Sequence, residues 1–433
     1  MNLTVHRSKI PRESWAILFV TLYSIISIDV GQSALSVFGN FTLWMIINAY
    51  VLYVFWKSKE KYFDLKENSN FRFVLIYLLF NILNIIRGFF IADGYWDFKG
   101  LFVNSFALLI PIVAYVSSNK LLLQKIFSFY VKYVLPLFFI FIFILSKQAY
   151  GVYLSAIIFL LLFFPALTLR WKLILLIFVL VIVFSGLGAR SNVIKFGLSL
   201  VFSLLYYFRF FLSKSFFQLI KNILFILPLI LFALAISNIF NVFKIDEYIK
   251  GDYSSVSDNG NGKLVKENLK ADTRTPLYLE VLFTAKKYNS WLLGRSPARG
   301  NDTKLFASLS KITGSKERIA NEVSILNVFT WTGIIGVFLY FLVFFSASTL
   351  AISHSNNIYS KIVGLFVAFR WLYAWVEDFN NYSLNTFVIW IMIGFCISKS
   401  FREMSDAQVK VWINGIFEKP KYFKKKLRIV NNR

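Results

Sequence analysis

Arginine, glycine and a helix start meet in the segment Gly186 to Ser191, which reads GLGARS. Glycines let a ligand approach the backbone closely. A helix beginning at about Ser191 presents free N–H groups and the positive end of its dipole. Arg190 adds a planar guanidinium whose donors match phosphate oxygens. Together these groups make an anion cradle. An equally open reading is a tight interhelical turn with an interfacial arginine. Arg274 is a second cation, near the head of TRTPLYLEVLFTAKKY (273–288). Lys286, Lys287, Arg295 and Arg299 follow, and each alone reads as solvated surface. Glu322 stands just before an apolar run. A carboxylate there is either an acid favourable with a helix dipole or a base near the membrane surface. Four further cations lie within or near apolar runs: Arg87, Lys132, Lys195 and Arg370. Charges in such places are costly and mark function by default. Lys132 and Lys195 are close enough to the run ends to snorkel to an interface. Arg87 and Arg370 are candidates for the bundle interior. No metal-ligand cluster is visible, and no cofactor is expected.

Long apolar runs must position these residues. Apolar residues make up 58% of the 433-residue chain, and mean hydropathy is +0.63. Runs of about 20 residues nearly free of charge match the thickness of a bilayer core. Inside lipid only helices or a closed barrel satisfy the backbone. Barrel strands alternate, whereas runs such as LILLIFVLVIVF (173–184) are continuously apolar. Spans are expected near 13–30, 34–56, 71–92, 100–118, 126–146, 150–168, 171–187, 191–211, 219–240, 323–348, 361–377 and 382–398. The fold class is an all-α integral membrane protein with about 12 transmembrane helices. The first apolar run lacks a small-residue cleavage site and is expected to be an uncleaved helix. The lone cysteine, Cys396, falls in a span and excludes a disulfide framework.

The net charge of +25 invites a nucleic-acid reading. The placement of the cations argues against it. Lys57, Lys59, Lys61 and Lys66 lie in one loop, then Lys120 and Lys125, Arg170 and Lys172, and Arg209, Lys214 and Lys221 in others on the same side. The intervening short loops are poorer in Lys and Arg. That alternation follows the positive-inside rule and makes both termini cytoplasmic. The basic tail fixes this topology, and it can also rest on anionic headgroups.

One segment breaks the pattern. Residues 241–322 are long, mixed in charge and rich in Gly, Ser and Asn at their start. Thr275 and Pro276 are a good cap and first-turn pair for a helix. Asp302 is placed to cap a second short helix reaching Leu309. A partly ordered outer lid is expected. The domains are then 1–240, an N-terminal bundle; 241–322, a large periplasmic loop; 323–398, the C-terminal membrane helices; and 399–433, a basic cytoplasmic tail.

Three landmarks in order resemble the O-antigen polymerase and O-antigen ligase superfamily. FSGLGARSNVIKFGLSL (184–200) resembles its arginine after a small-residue turn. TRTPLYLEVLFTAKKYNSWLLGRSP (273–297) resembles its loop pattern of arginine, helix and a leucine-glycine stretch. NEVSILNVFTWTGIIGVFLYFLVF (321–344) resembles its re-entry helix, with Gly333 and Gly336. The ligase branch usually opens this last motif with histidine, where this chain has Glu322. Both histidines here, His6 and His354, fall on the cytoplasmic side. The departure favours a polymerase.

The resemblance implies a GT-C-like, metal-independent, lipid-linked glycosyltransferase of the bacterial inner membrane. Its substrate would be an oligosaccharide repeat unit on undecaprenyl diphosphate. Arg190 and Arg274 would bind the diphosphate, with Arg87 and Arg370 as further candidates. Arg190 would also stabilise charge on the leaving group, and Glu322 would orient or deprotonate the acceptor hydroxyl. A chain-length regulator and a flippase are the partners the family implies; no nucleic acid is. The alternatives are an O-antigen ligase and, in a different class, a lipid-linked-oligosaccharide flippase. Transporters are commonly built from repeated halves, and no repeat is visible here.

Overall fold

The structure, a computed structural model, describes residues 10–29, 40–185, 190–248, 254–258, 264–268, 272–305 and 316–418. It is 75% helical with almost no strand. Among the described residues, five helical stretches are long and apolar enough to cross a membrane: Leu65–Ile91, Tyr95–Ser118, Lys120–Phe141, Lys214–Ile236 and Ser324–Ser353. The remaining expected spans overlap helices that are shorter, less apolar or more charged. In chain order the helices are α1 (Arg12–Asp29), α2 (Phe41–Tyr62), α3 (Asn68–Ile91), α4 (Tyr95–Leu109), α5 (Lys120–Phe129), α6 (Leu135–Phe141), α7 (Leu169–Ser185), α8 (Arg190–Leu204) and α9 (Lys214–Ile236). After the long connecting segment come α10 (Thr275–Lys287), α11 (Ser324–Ser353), α12 (Ile358–Tyr373), α13 (Leu384–Ile397) and α14 (Asp406–Asn414).

The expected span 150–168 is not one helix. It is the short pieces Tyr150–Tyr153, Ile157–Leu161 and Phe164–Ala166 joined by turns. The expected span 191–211 is helical only to Leu204. Buried aromatic rings form the centre, where Tyr77 stacks on Trp390 and Tyr340 tilts against Trp371. Outward faces stay apolar too: Leu83, Phe90, Phe143, Phe184 and Phe338 are all exposed. Apolar surface of that extent suits a lipid solvent rather than water.

Part of the long segment is built into the bundle rather than lying over it as a lid. Gly333 (φ 67°, ψ −167°) interrupts α11, and the segment Trp291 to Ser296 docks into the break. The N–H groups of Ile334 and Ile335 donate to the carbonyls of Trp291 and Leu292 at 2.9 and 3.3 Å. The N–H groups of Arg295 and Ser296 donate to the carbonyls of Thr330 and Trp331 at 2.6 and 3.2 Å. Backbone groups released by the break thus find partners, as a low-dielectric setting demands.

α10 packs Leu277, Tyr278 and Val281 on Val323 and Leu326. Its start differs from the sequence expectation. The cap comes from Asp272, which accepts the N–H groups of Arg274 and Thr275, because the helix begins at Thr275 itself. Asp302 caps no helix at its own position. Asn301–Asp302 pairs antiparallel with Glu317–Arg318, and the rest of the expected second helix falls on residues outside those described. The other described strands, Ser254–Asp258 and Leu264–Asn268, form a separate hairpin.

Candidate active site

The turn between α12 and α13, residues 374–383, is where the predicted residues converge. The Arg274 Nε donates to the Val376 carbonyl at 3.1 Å. Ser191, beside Arg190, neighbours the Glu377 carboxylate, and Arg190, Arg274 and Arg370 all act electrostatically on Tyr373. The start of α8, the start of α10 and the end of α12 therefore bring these cations to one end of the bundle. Arg190 opens α8 and is exposed. The glycines expected to complete its cradle, at 186 and 188, lie outside the described residues.

Glu322 pairs with two arginines, Arg274 through Nη1 and Arg318 through Nη2 at 3.1 Å. Burial pushes its carboxyl up, but the two guanidiniums outweigh that and hold it below the ordinary glutamate value. A carboxylate so held is a weak base. It is better suited to aligning Arg274 and Arg318, or to accepting a hydrogen bond from a substrate hydroxyl, than to removing a proton. Arg318 was not distinguished in the sequence, where it is one cation in a mixed-charge loop.

Lys195 does not snorkel. Its Nζ lies 2.6 Å from Glu377 Oε1, with side-chain exposures of 6% and 18%. Lys132, by contrast, is exposed, over the ring of Tyr133. Arg370 completes the buried group, with Nη1 3.7 Å from Glu377 Oε2 and a side chain only 1% exposed. Its guanidinium also lies 4.1 Å from the Phe379 ring centroid. Expected as a diphosphate ligand, Arg370 lies against Glu377, and its three guanidinium nitrogens make no hydrogen bond among the described residues. It is sealed beneath Glu377 and supports that carboxylate from inside.

Arg87, another expected ligand, bonds backbone. Its guanidinium donates to the carbonyls of Leu293, Gly294 and Trp331. It holds the docked segment against broken α11. Beside it, Arg299 pairs with Asp93 and Asp97, and Arg295 with Glu317.

Two residues that sequence reasoning passed over are central here, Glu377 and Asp378. The available signal was a pair of adjacent acids between apolar runs, in a chain with only 22 acidic residues. The Asp378 carboxylate accepts from the Asn380 N–H at 2.8 Å and from Asn381 Nδ2 at 2.9 Å. Burial raises this carboxyl to about 6, with its hydrogen bonds acting the other way. A folded value above the unfolded one means that the native state holds the proton more tightly. The rise from 3.8 to about 6 corresponds to about 3 kcal/mol of lost stability once the group is charged. That loss is absent below the unfolded value and complete above about 6. Wild-type protein is expected to unfold at higher temperature as pH falls from about 7.5 to about 5, and Asp378→Asn to flatten that dependence. Glu322 titrates below this window and opposes the trend only under more acid conditions. A melting profile unchanged by Asp378→Asn would reject this assignment.

An apolar groove of about 230 Å³ runs between α9, α10 and α12, lined by Phe232, Thr275, Leu279, Leu372 and Val376 among others. Thr275 follows Arg274, and Val376 accepts its hydrogen bond. The groove thus lies beside a cation. No group of three His, Cys, Asp or Glu side chains suited to a metal ion occurs among the described residues. No family model, curated protein or solved structure matches the chain.

Proposed function

We propose that this chain polymerises lipid-linked oligosaccharide repeat units on the outer face of the bacterial inner membrane. In this reading about twelve helical segments cross or enter the bilayer, both termini are cytoplasmic, and the 241–322 segment is periplasmic. The single observation that carries the proposal is the apolar groove beside Arg274, with Arg190 near the same turn and Arg318 joined to Arg274 through Glu322. A polyprenyl chain suits the groove and a diphosphate suits the guanidiniums.

The acceptor sugar's hydroxyl oxygen bonds to the anomeric carbon of the growing chain, and its proton passes to solvent water. The bond from that carbon to the diphosphate oxygen breaks, and undecaprenyl diphosphate leaves as an anion. Arg190 and Arg274 stabilise the charge that develops there. Glu322 fixes Arg274 and Arg318 and orients the acceptor hydroxyl. Glu377, supported by Lys195 and Arg370, neighbours Ser191 at the start of α8. The product is O-antigen or a related surface polysaccharide. A chain-length regulator and a flippase are the expected partners.

The test is a sugar-chain ladder from cells lacking the protein, wild type, and Arg190→Ala at matched expression. Loss of the protein is expected to leave single repeat units on the acceptor. Arg190→Ala is expected to lower polymer formation about 100-fold or more, as when a charge-stabilising donor is removed. Long chains that accumulate on undecaprenyl diphosphate would assign a ligase instead. An Arg190→Ala ladder identical to wild type would remove Arg190 from the mechanism.

A further inference from the structure

We propose that the opposite end of the bundle binds an anionic phospholipid, with its phosphate in a basic pocket and an acyl chain in an adjoining apolar groove. This site does not depend on the reaction proposed above. Its distance from the docked segment follows from α3. That helix begins at Asn68, beside the end of α2, and reaches the docked segment at Arg87. From Asn68 to Arg87 it rises about 28 Å.

The start of α1, the end of α2 and the start of α5 enclose a cavity of about 710 Å³. Arg12, Lys57, Lys61 and Lys125 line it. Its one lining carboxylate, Glu13, already accepts a hydrogen bond from Ser58. Lys57 pairs with Glu60 at 2.8 Å. Arg12, Lys61 and Lys125 are exposed, and no ion pair joins them to a carboxylate among the described residues. The pocket therefore carries unbalanced positive charge.

Tyr53 and Lys57 line a second cavity as well, an apolar groove of about 450 Å³ that also includes Trp56, Leu78, Ile82 and Ile112. Tyr53 and Trp56 are 53% and 47% exposed, as amphipathic rings at a headgroup boundary are. A free phosphate or a nucleotide would satisfy the cations and leave the groove bare. A zwitterionic lipid would fill the groove and bring its own cation to the lysines. A diacyl lipid with net negative charge meets both demands, and basic pockets between membrane helices suit such headgroups.

The experiment titrates full-length protein, in neutral detergent micelles, with phosphatidylglycerol or phosphatidylcholine and reads binding by native mass spectrometry. Wild type is expected to prefer phosphatidylglycerol. Lys61→Ser/Lys125→Ser is expected to bind it about thirty-fold more weakly, from two headgroup cations lost. Both positions are exposed, so folding is retained. The charge-matched control Lys214→Ser/Lys399→Ser, at exposed sites of the same end, is expected to change binding by less than about threefold. Ile82→Trp, which fills the groove, is expected to weaken lipid binding about tenfold. Equal losses in the two double variants would overturn the site in favour of diffuse surface charge. Displacement of lipid by equimolar inorganic phosphate would overturn it in favour of a free-anion pocket.

Discussion

Gly333→Ala is expected to leave little folded protein, with a loss of about 3–6 kcal/mol. The backbone at Gly333 (φ 67°, ψ −167°) lies in a region essentially reserved for glycine, where a side chain costs about 1–3 kcal/mol. An added Cβ would also stand 2.2 Å from the Leu292 carbonyl oxygen and 2.5 Å from the Gly294 nitrogen. Those neighbours are backbone, so relief means moving the docked 291–296 segment. That movement would release the hydrogen bonds of Ile334, Ile335, Arg295 and Ser296, in a setting where unpaired backbone groups are costly. Gly294→Ala is expected to act similarly, since Gly294 has φ 65° and its added Cβ would meet Gly333 and Thr332 nitrogens at 2.6 Å. Gly197 is the control. It lies in α8 with nothing within 4 Å of an added Cβ, so Gly197→Ala should change stability by no more than about 1 kcal/mol and in the favourable direction. Monodisperse yield and unfolding midpoint in detergent measure this. A Gly333→Ala protein as stable as Gly197→Ala would mean that the break in α11 is absent.

The contrast between Gly197 and Gly333 shows what a sequence of this kind reveals. Continuous apolar runs mark helices because the hydrophobic signal is local and repeated. They do not mark where a helix breaks, since both glycines sit among apolar neighbours and only a docked partner separates their roles. The same limit applies to the charges. Arg190 and Arg274 stood out through local context, and the structure brings both to the turn after α12. Lys195 and Arg370 looked like separate candidates because their shared carboxylate, Glu377, is 182 residues from Lys195. Arg87 looked like a ligand-binding cation for a similar reason. Its acceptors are backbone carbonyls more than 200 residues away, and backbone leaves no compositional trace. Asp272 displaced Thr275 as the cap of α10 because cap identity turns on a helix start displaced by a residue or two.

Glu377→Ala should be the most damaging change in the candidate site, with a loss of about 3–5 kcal/mol. The carboxylate lies between Lys195 at 2.6 Å and Arg370 at 3.7 Å. Its removal leaves two buried cations facing each other without a counter-charge. Lys195→Met is expected to cost less, about 1–3 kcal/mol, because Glu377 keeps Arg370 as a partner. The ordering separates a charge triad from a simple pair, in which either truncation would cost about the same. Lys195→Met/Glu377→Ala should then be more stable than Glu377→Ala alone, since it removes one of the stranded cations. A coupling of about 0.5–3 kcal/mol is expected from residues in direct contact. Activity gives the second readout. Glu377 also neighbours Ser191, next to Arg190, so Glu377→Gln should shorten the sugar-chain ladder even at matched amounts of folded protein. A full-length ladder from folded Glu377→Gln would confine this carboxylate to stability and leave the placement of Arg190 to α8 alone.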